Sequence, residues 1–126
     1  MVRHRFALAA LALAAGLLWA LPAGAKHASR AAVHVSAVNV TQGKPAEFRF
    51  TLSKKTVPKG TVTFLVINKG ALPHDFKISG HKTRLLSPGQ AQTLKVTFLK
   101  AGKYPYLCTV TGHAAAGMKG ILTVTG

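Results

Sequence analysis

Acidic residues are almost missing from this chain. Of its 126 residues only two are acidic, Glu47 and Asp75, against 17 lysines and arginines. Cysteine is nearly absent too, and Cys108 alone cannot form an internal disulfide. A small exported domain stapled by disulfides is therefore excluded. Methionine occurs only at positions 1 and 118. Past residue 25 no stretch carries a 3.6-residue apolar period, which excludes a helical bundle. Internal repeats and low-complexity segments are missing from the same region.

The first residues read as a targeting segment. Arg3 and Arg5 form a basic start, Phe6 to Leu21 is an apolar run rich in Ala and Leu, and LPAGA places Ala23 and Ala25 in the A-x-A pattern that signal peptidases accept. We expect a helical signal peptide over residues 1–25, cleaved after Ala25, and export to the periplasm or the extracellular space. A retained anchor is the alternative, although the run is short for a span of about 20 residues. Residues 26–32 read as a flexible lead-in, and residues 33–126 as one domain.

Losing Arg3 and Arg5 leaves 15 basic residues against 2 acidic ones, a net +13. Such a charge usually suggests nucleic acid, but the expected export argues against that partner. The charge suits an acidic protein partner, and it allows peripheral contact with an anionic membrane surface. The basic residues are scattered, with only Lys54 and Lys55 adjacent, so part of the charge serves solubility and the protection of sheet edges.

Short segments with period two fill the domain. Val33, Val35 and Ala37 alternate with His34, Ser36 and Val38. Phe48, Phe50 and Leu52 form a second set, and Val62, Phe64 and Val66 a third. Phe76 and Ile78 follow, then Leu94, Val96 and Phe98, then Tyr104 and Tyr106, then Ile121 to Val124. Turn-forming groups such as Gln42-Gly43-Lys44-Pro45, Asn68-Lys69-Gly70 and Ser87-Pro88-Gly89 separate them. The expected fold is all-β, a Greek-key sandwich of about seven or eight strands.

The chemistry concentrates in CTVTGHAAAGM, from Cys108 to Met118. Cys108, His113 and Met118 are spaced evenly by five along a small-residue stretch between two strands. A loop of that length can turn its ends and its middle toward one point. A thiolate, an imidazole and a thioether together select copper over magnesium or calcium. A trigonal copper site needs a second imidazole, and His74, in NKGALPHDF, is the candidate. His27, His34 and His81 read as ordinary surface or core histidines, and an inert buried thiol is the plain alternative for Cys108.

These two motifs, N-x-G-x-x-P-H-D-F and then Y-x-Y-x-C-x4-H-x4-M, resemble the cupredoxin family, the small type 1 blue copper proteins of the plastocyanin and azurin kind. The resemblance spans about Val33 to Val124. It implies one copper ion per chain, held by His74 and His113 through nitrogen, Cys108 through thiolate and Met118 as a long axial contact. It also implies a brace between Asp75 and Thr109, and a backbone N–H of that region directed at the sulfur. The family more often has Asn at the position of Asp75, and a carboxylate there would lower the reduction potential.

Four donors with no place for water make a closed site, which suits one-electron transfer rather than catalysis. The expected function is an exported electron carrier, a monomer serving an acidic redox protein such as a cytochrome or an oxidase subunit. A copper carrier or storage module is the alternative. A copper oxidase would need further ligands such as His-x-His pairs, and the sequence has none.

Overall fold

The computed structural model describes Gly24 and residues 32–126. The expected signal peptide and lead-in fall almost wholly outside these residues. The described part holds nine strands: β1 (Val35–Gln42), β2 (Phe50–Leu52), β3 (Thr56–Pro58), β4 (Gly60–Asn68), β5 (Lys77–Ile78), β6 (His81–Lys82), β7 (Ala91–Phe98), β8 (Gly102–Leu107) and β9 (Lys119–Thr125). The expected all-β sandwich is present, as a four-stranded sheet ordered β2-β1-β4-β7 and a five-stranded sheet ordered β3-β9-β8-β5-β6.

Each sheet contains one parallel pair, β1 with β4 and β3 with β9, among antiparallel neighbours. Side chains alternate as a half-buried sheet requires. Along β4, Val62, Phe64 and Val66 face the core while Leu65 is exposed. From the other sheet Val57, Ile78, Tyr106, Leu122 and Val124 meet them, joined by Phe76 just before β5.

β1 corrects the expected phase. Val33 and Val35 are 72% and 73% exposed, whereas Val38 and Val40 are fully buried. Apolar side chains occupy both alternations of this segment, and the parallel register with β4, Val38 opposite Phe64, selects the second.

Phe76 links the core to the functional end. Its ring lies 5.3 Å from Phe64, 5.4 Å from Phe50 and 5.5 Å from Tyr106, measured between centroids. Such an aromatic cluster is stiff, and truncating a ring of this kind costs about 3–5 kcal/mol. His74 and Asp75 precede Phe76 directly and so leave the sandwich from a fixed point.

Candidate metal centre

Cys108 follows the last residue of β8, and the segment after it is closed by its own backbone. The His113 amide donates to the Val110 carbonyl at 3.0 Å, and Ala116 donates to Gly112 at 3.0 Å. Met118 donates to the His113 carbonyl at 3.0 Å, and Cys108 to the Met118 carbonyl at 3.1 Å. Both ends of the loop and its middle residue are thereby drawn together, as the even spacing requires.

His74 is positioned from a different loop. Its amide donates to the Leu86 carbonyl at 3.0 Å, and the Leu86 amide donates back at 2.7 Å. The fully buried Asn68 organises the approach. Its amide nitrogen donates to the Leu72 and Leu86 carbonyls at 2.8 Å each, and its oxygen accepts from the Gly70 amide at 2.8 Å. The Asn68-Lys69-Gly70 turn is therefore a scaffold for the histidine.

The side chains converge. Nδ1 of His74 lies 3.1 Å from Nδ1 of His113, which lies 3.6 Å from Sγ of Cys108. The donor atoms of the three residues all fall within 4.8 Å of one another. Two donors bound at about 2 Å to a common ion, some 100–120° apart, are separated by ~3–3.5 Å. The spacing therefore fits one shared metal. Met118 is fully buried at the end of the same loop, its backbone bonded to both Cys108 and His113. His74 and Cys108 are 0% and 1% exposed, and His113 reaches the surface at 9%. His34 and His81 are exposed and stand apart from the cluster, and His27 lies outside the described residues.

Burial pushes the Cys108 thiol above its ordinary range, while backbone N–H groups of Asp75 and Val110 directed at the sulfur act in the opposite sense. Burial, and then the neighbouring His74, push His113 below the usual histidine range. A neutral imidazole is the form a metal binds, and the thiol gives up its proton when the metal arrives.

The Asp75 brace is present. The Thr109 amide donates to Oδ1 of Asp75 at 2.6 Å, the Thr109 hydroxyl donates to Oδ2, and Nζ of Lys82 stands 3.8 Å from Oδ2.

The segment before β2 was expected to be strand, with Phe48 on its apolar face. Instead three consecutive residues there border the site. Oε1 of Glu47 lies 2.7 Å from Nε2 of His74. The Phe48 ring meets the His113 ring edge-on, with centroids 4.9 Å apart. The Arg49 guanidinium sits beside Gly117, 3.1 Å from where a Cβ on that glycine would project. Glu47 also accepts from the Ala71 and Leu72 amides, each at 2.9 Å. These backbone bonds, more than the His74 contact, lower the Glu47 carboxyl to about 2. The sequence held one clue to Glu47: it is one of two acids in a strongly basic chain, and the other adjoins a candidate ligand.

Known proteins share this fold. Auracyanin B shares 22% identity at a TM-score of 0.64, over 72% of this chain and 89% of its own. Auracyanin A, a "blue" copper protein from Chloroflexus aurantiacus, shares 22% at 0.63, over 73% of this chain and 100% of its own. Rusticyanin from Thiobacillus ferrooxidans shares 23% at 0.61, over 72% of this chain and 77% of its own. At these identities the likeness speaks for the fold. Among curated proteins none matches the chain. The cupredoxin-like domain family matches residues 9–124. Soft sulfur, paired imidazoles and a closed setting make the cluster around Cys108 a type 1 copper site. Covering nearly the whole sequence, that match places the chain in the cupredoxin-like family.

Proposed function

We propose that the protein carries single electrons between redox partners, with His74, Cys108, His113 and Met118 as the ligands of one copper ion. The observation that carries this reading is the convergence of two imidazole nitrogens and a thiol within 4.8 Å in a buried setting. Bound copper would supply one-electron exchange between its two valence states. The chain supplies a frame that need not move. His74 is tied through Leu86 and Glu47, Cys108 through Met118, and Thr109 through Asp75. Little ligand motion between oxidation states means a low barrier to transfer. A closed donor set suits a carrier better than a catalyst, which keeps a position open for substrate.

Electrons would pass at the edge of His113, the ligand nearest solvent. The small residues Ala114 to Gly117 follow it in the same loop, and Leu72 and Pro73 directly precede the other histidine ligand, His74. Leu72 is 42% exposed. Small and apolar residues beside the two histidines suit a brief redox encounter. Both carboxylates of the described residues are engaged at this end of the molecule, so the remaining charged side chains are all basic. An acidic partner, such as a face of a cytochrome or an oxidase subunit, would be steered by that field.

Purified protein given one equivalent of Cu(II) is expected to turn intensely blue or green and to bleach reversibly on reduction. Cys108→Ser should lose the colour. A pale wild-type solution would refute the copper ligand set, and rapid loss of copper to an acceptor apoprotein would favour a copper-delivery role instead.

We also propose export, supported by the basic start, apolar run and A-x-A pattern of residues 1–25. Protein recovered from cells should begin at Lys26, and a chain retaining Met1 would refute cleavage.

A further inference from the structure

Glu47 does not belong to the ligand set, yet it is the only carboxylate placed on the outer nitrogen of a ligand. His74 turns Nδ1 inward, 3.1 Å from the matching nitrogen of His113, and turns Nε2 outward, 2.7 Å from Oε1 of Glu47. An imidazole that presents a lone pair to a metal at Nδ1 carries its proton at Nε2, and that proton needs an acceptor. Glu47 supplies a charged one. The site around it is built for this approach. The Ala71 amide donates to both carboxylate oxygens, at 3.1 and 2.9 Å, and the Leu72 amide to Oε1 at 2.9 Å. Position 70 has no side chain, and a Cβ there would stand 2.5 Å from Oε1 and 3.0 Å from Nε2 of His74. Any larger residue would push the carboxylate and the ring apart. Both ends of the contact are thus fixed by backbone, which a casual surface ion pair would not require.

We propose that Glu47 is a positioning residue for His74: its carboxylate fixes the ring in the metal-ready tautomer and, by drawing on the Nε2 proton, makes the imidazole a stronger donor that favours the oxidised over the reduced ion. This deepens the copper reading and rests on it. A carboxylate behind a ligating histidine raises the basicity of that ligand, and losing such a partner commonly weakens metal binding 10–100-fold, as an order-of-magnitude guide. A more basic nitrogen and a nearby negative charge help the doubly charged ion more than the singly charged one. The ratio of the two affinities is the reduction potential expressed as an equilibrium constant.

The test compares wild type with Glu47→Gln and Glu47→Ala in copper-loaded full-length protein. Gln keeps one oxygen that can accept from Leu72 and His74 in the place of Oε1, and it removes the charge. We expect Glu47→Gln to keep the blue band while the ratio of Cu(II) to Cu(I) affinity falls about tenfold, ~59 mV upward for one electron. Glu47→Ala should shift it further and weaken copper retention. An unchanged potential in a blue Glu47→Gln protein would reduce Glu47 to a loop anchor and overturn the proposal. A colourless wild type would instead sink the copper reading itself. Should the variants fail to fold, nitrogen NMR of metal-free wild-type protein decides: His74 is expected protonated at Nε2 and bare at Nδ1, and the opposite tautomer would overturn the proposal.

Discussion

At the scale of single residues, Glu47 gives the protein a pH response that its composition would hide. Its carboxyl sits at about 2 in the folded protein against an ordinary value of 4.5, because the Ala71 and Leu72 amides hold the charged form. A carboxyl lowered on folding contributes stability that is complete above its unfolded value and is lost as protons bind below it. The melting temperature of the metal-free protein should therefore fall as pH drops from 4.5 toward 2. Glu47→Gln should shrink that fall, and thermal melts of both proteins across the range check it. The candidate ligands could be read from the sequence because copper chemistry demands rare residue types at fixed spacing, and Cys108, His113 and Met118 offer them within one loop; of these the structure gathers the Cys108 and His113 donor atoms with those of His74. Glu47 could not, since it meets His74 across 27 positions through the packing of two loops, which no local pattern encodes. Phe48 was hidden by the opposite fault. An aromatic in an alternating segment reads as core, while this one precedes the strand and packs edge-on against His113.

At the scale of elements, the site depends on how closely the β1–β2 loop approaches the β4–β5 loop. Gly43, at φ 75°, lies so near that a Cβ would enter the backbone of Gly70, contacting its Cα and approaching its N to 2.6 Å. A side chain there would meet both the strain of a left-handed backbone and a rigid obstacle. Gly43→Ala is expected to cost on the order of 2–4 kcal/mol. It should also displace Glu47 from His74, so denaturant titration and the colour of the copper-loaded protein should respond together. An unaltered unfolding midpoint would mean that the loops can part without harm. Period two and the turn groups disclosed the sandwich and most strands, but not two details. β3 offers a single buried side chain, Val57, and β6 offers none, so both are too short for an alternation to stand out. In β1 both phases were apolar, and only the pairing partner resolved which one faced inward.

At the scale of the whole molecule, charge is the dominant peculiarity. The expected mature chain carries +13, and of its two acidic side chains only Asp75 stands beside a lysine, Lys82 at 3.8 Å. Mutual repulsion among the lysines and arginines opposes the compact state, and added salt shortens its reach to about 10 Å at 0.1 M. Raising sodium chloride from 10 to about 150 mM should therefore raise the melting temperature while slowing electron exchange with an acidic partner. Flat responses in both would show that the field is too diffuse to matter. Strand order has a consequence of another kind. β9 is the last strand in chain order yet lies in the interior of its sheet, between β3 and β8. Without Lys119–Thr125, β3 has no partner in the sheet and β8 is paired on one edge only, with β5. Met118, whose carbonyl anchors the Cys108 amide, stands immediately before β9, so the loop between them is closed only when this central strand is seated, and the sandwich and the metal centre share one keystone.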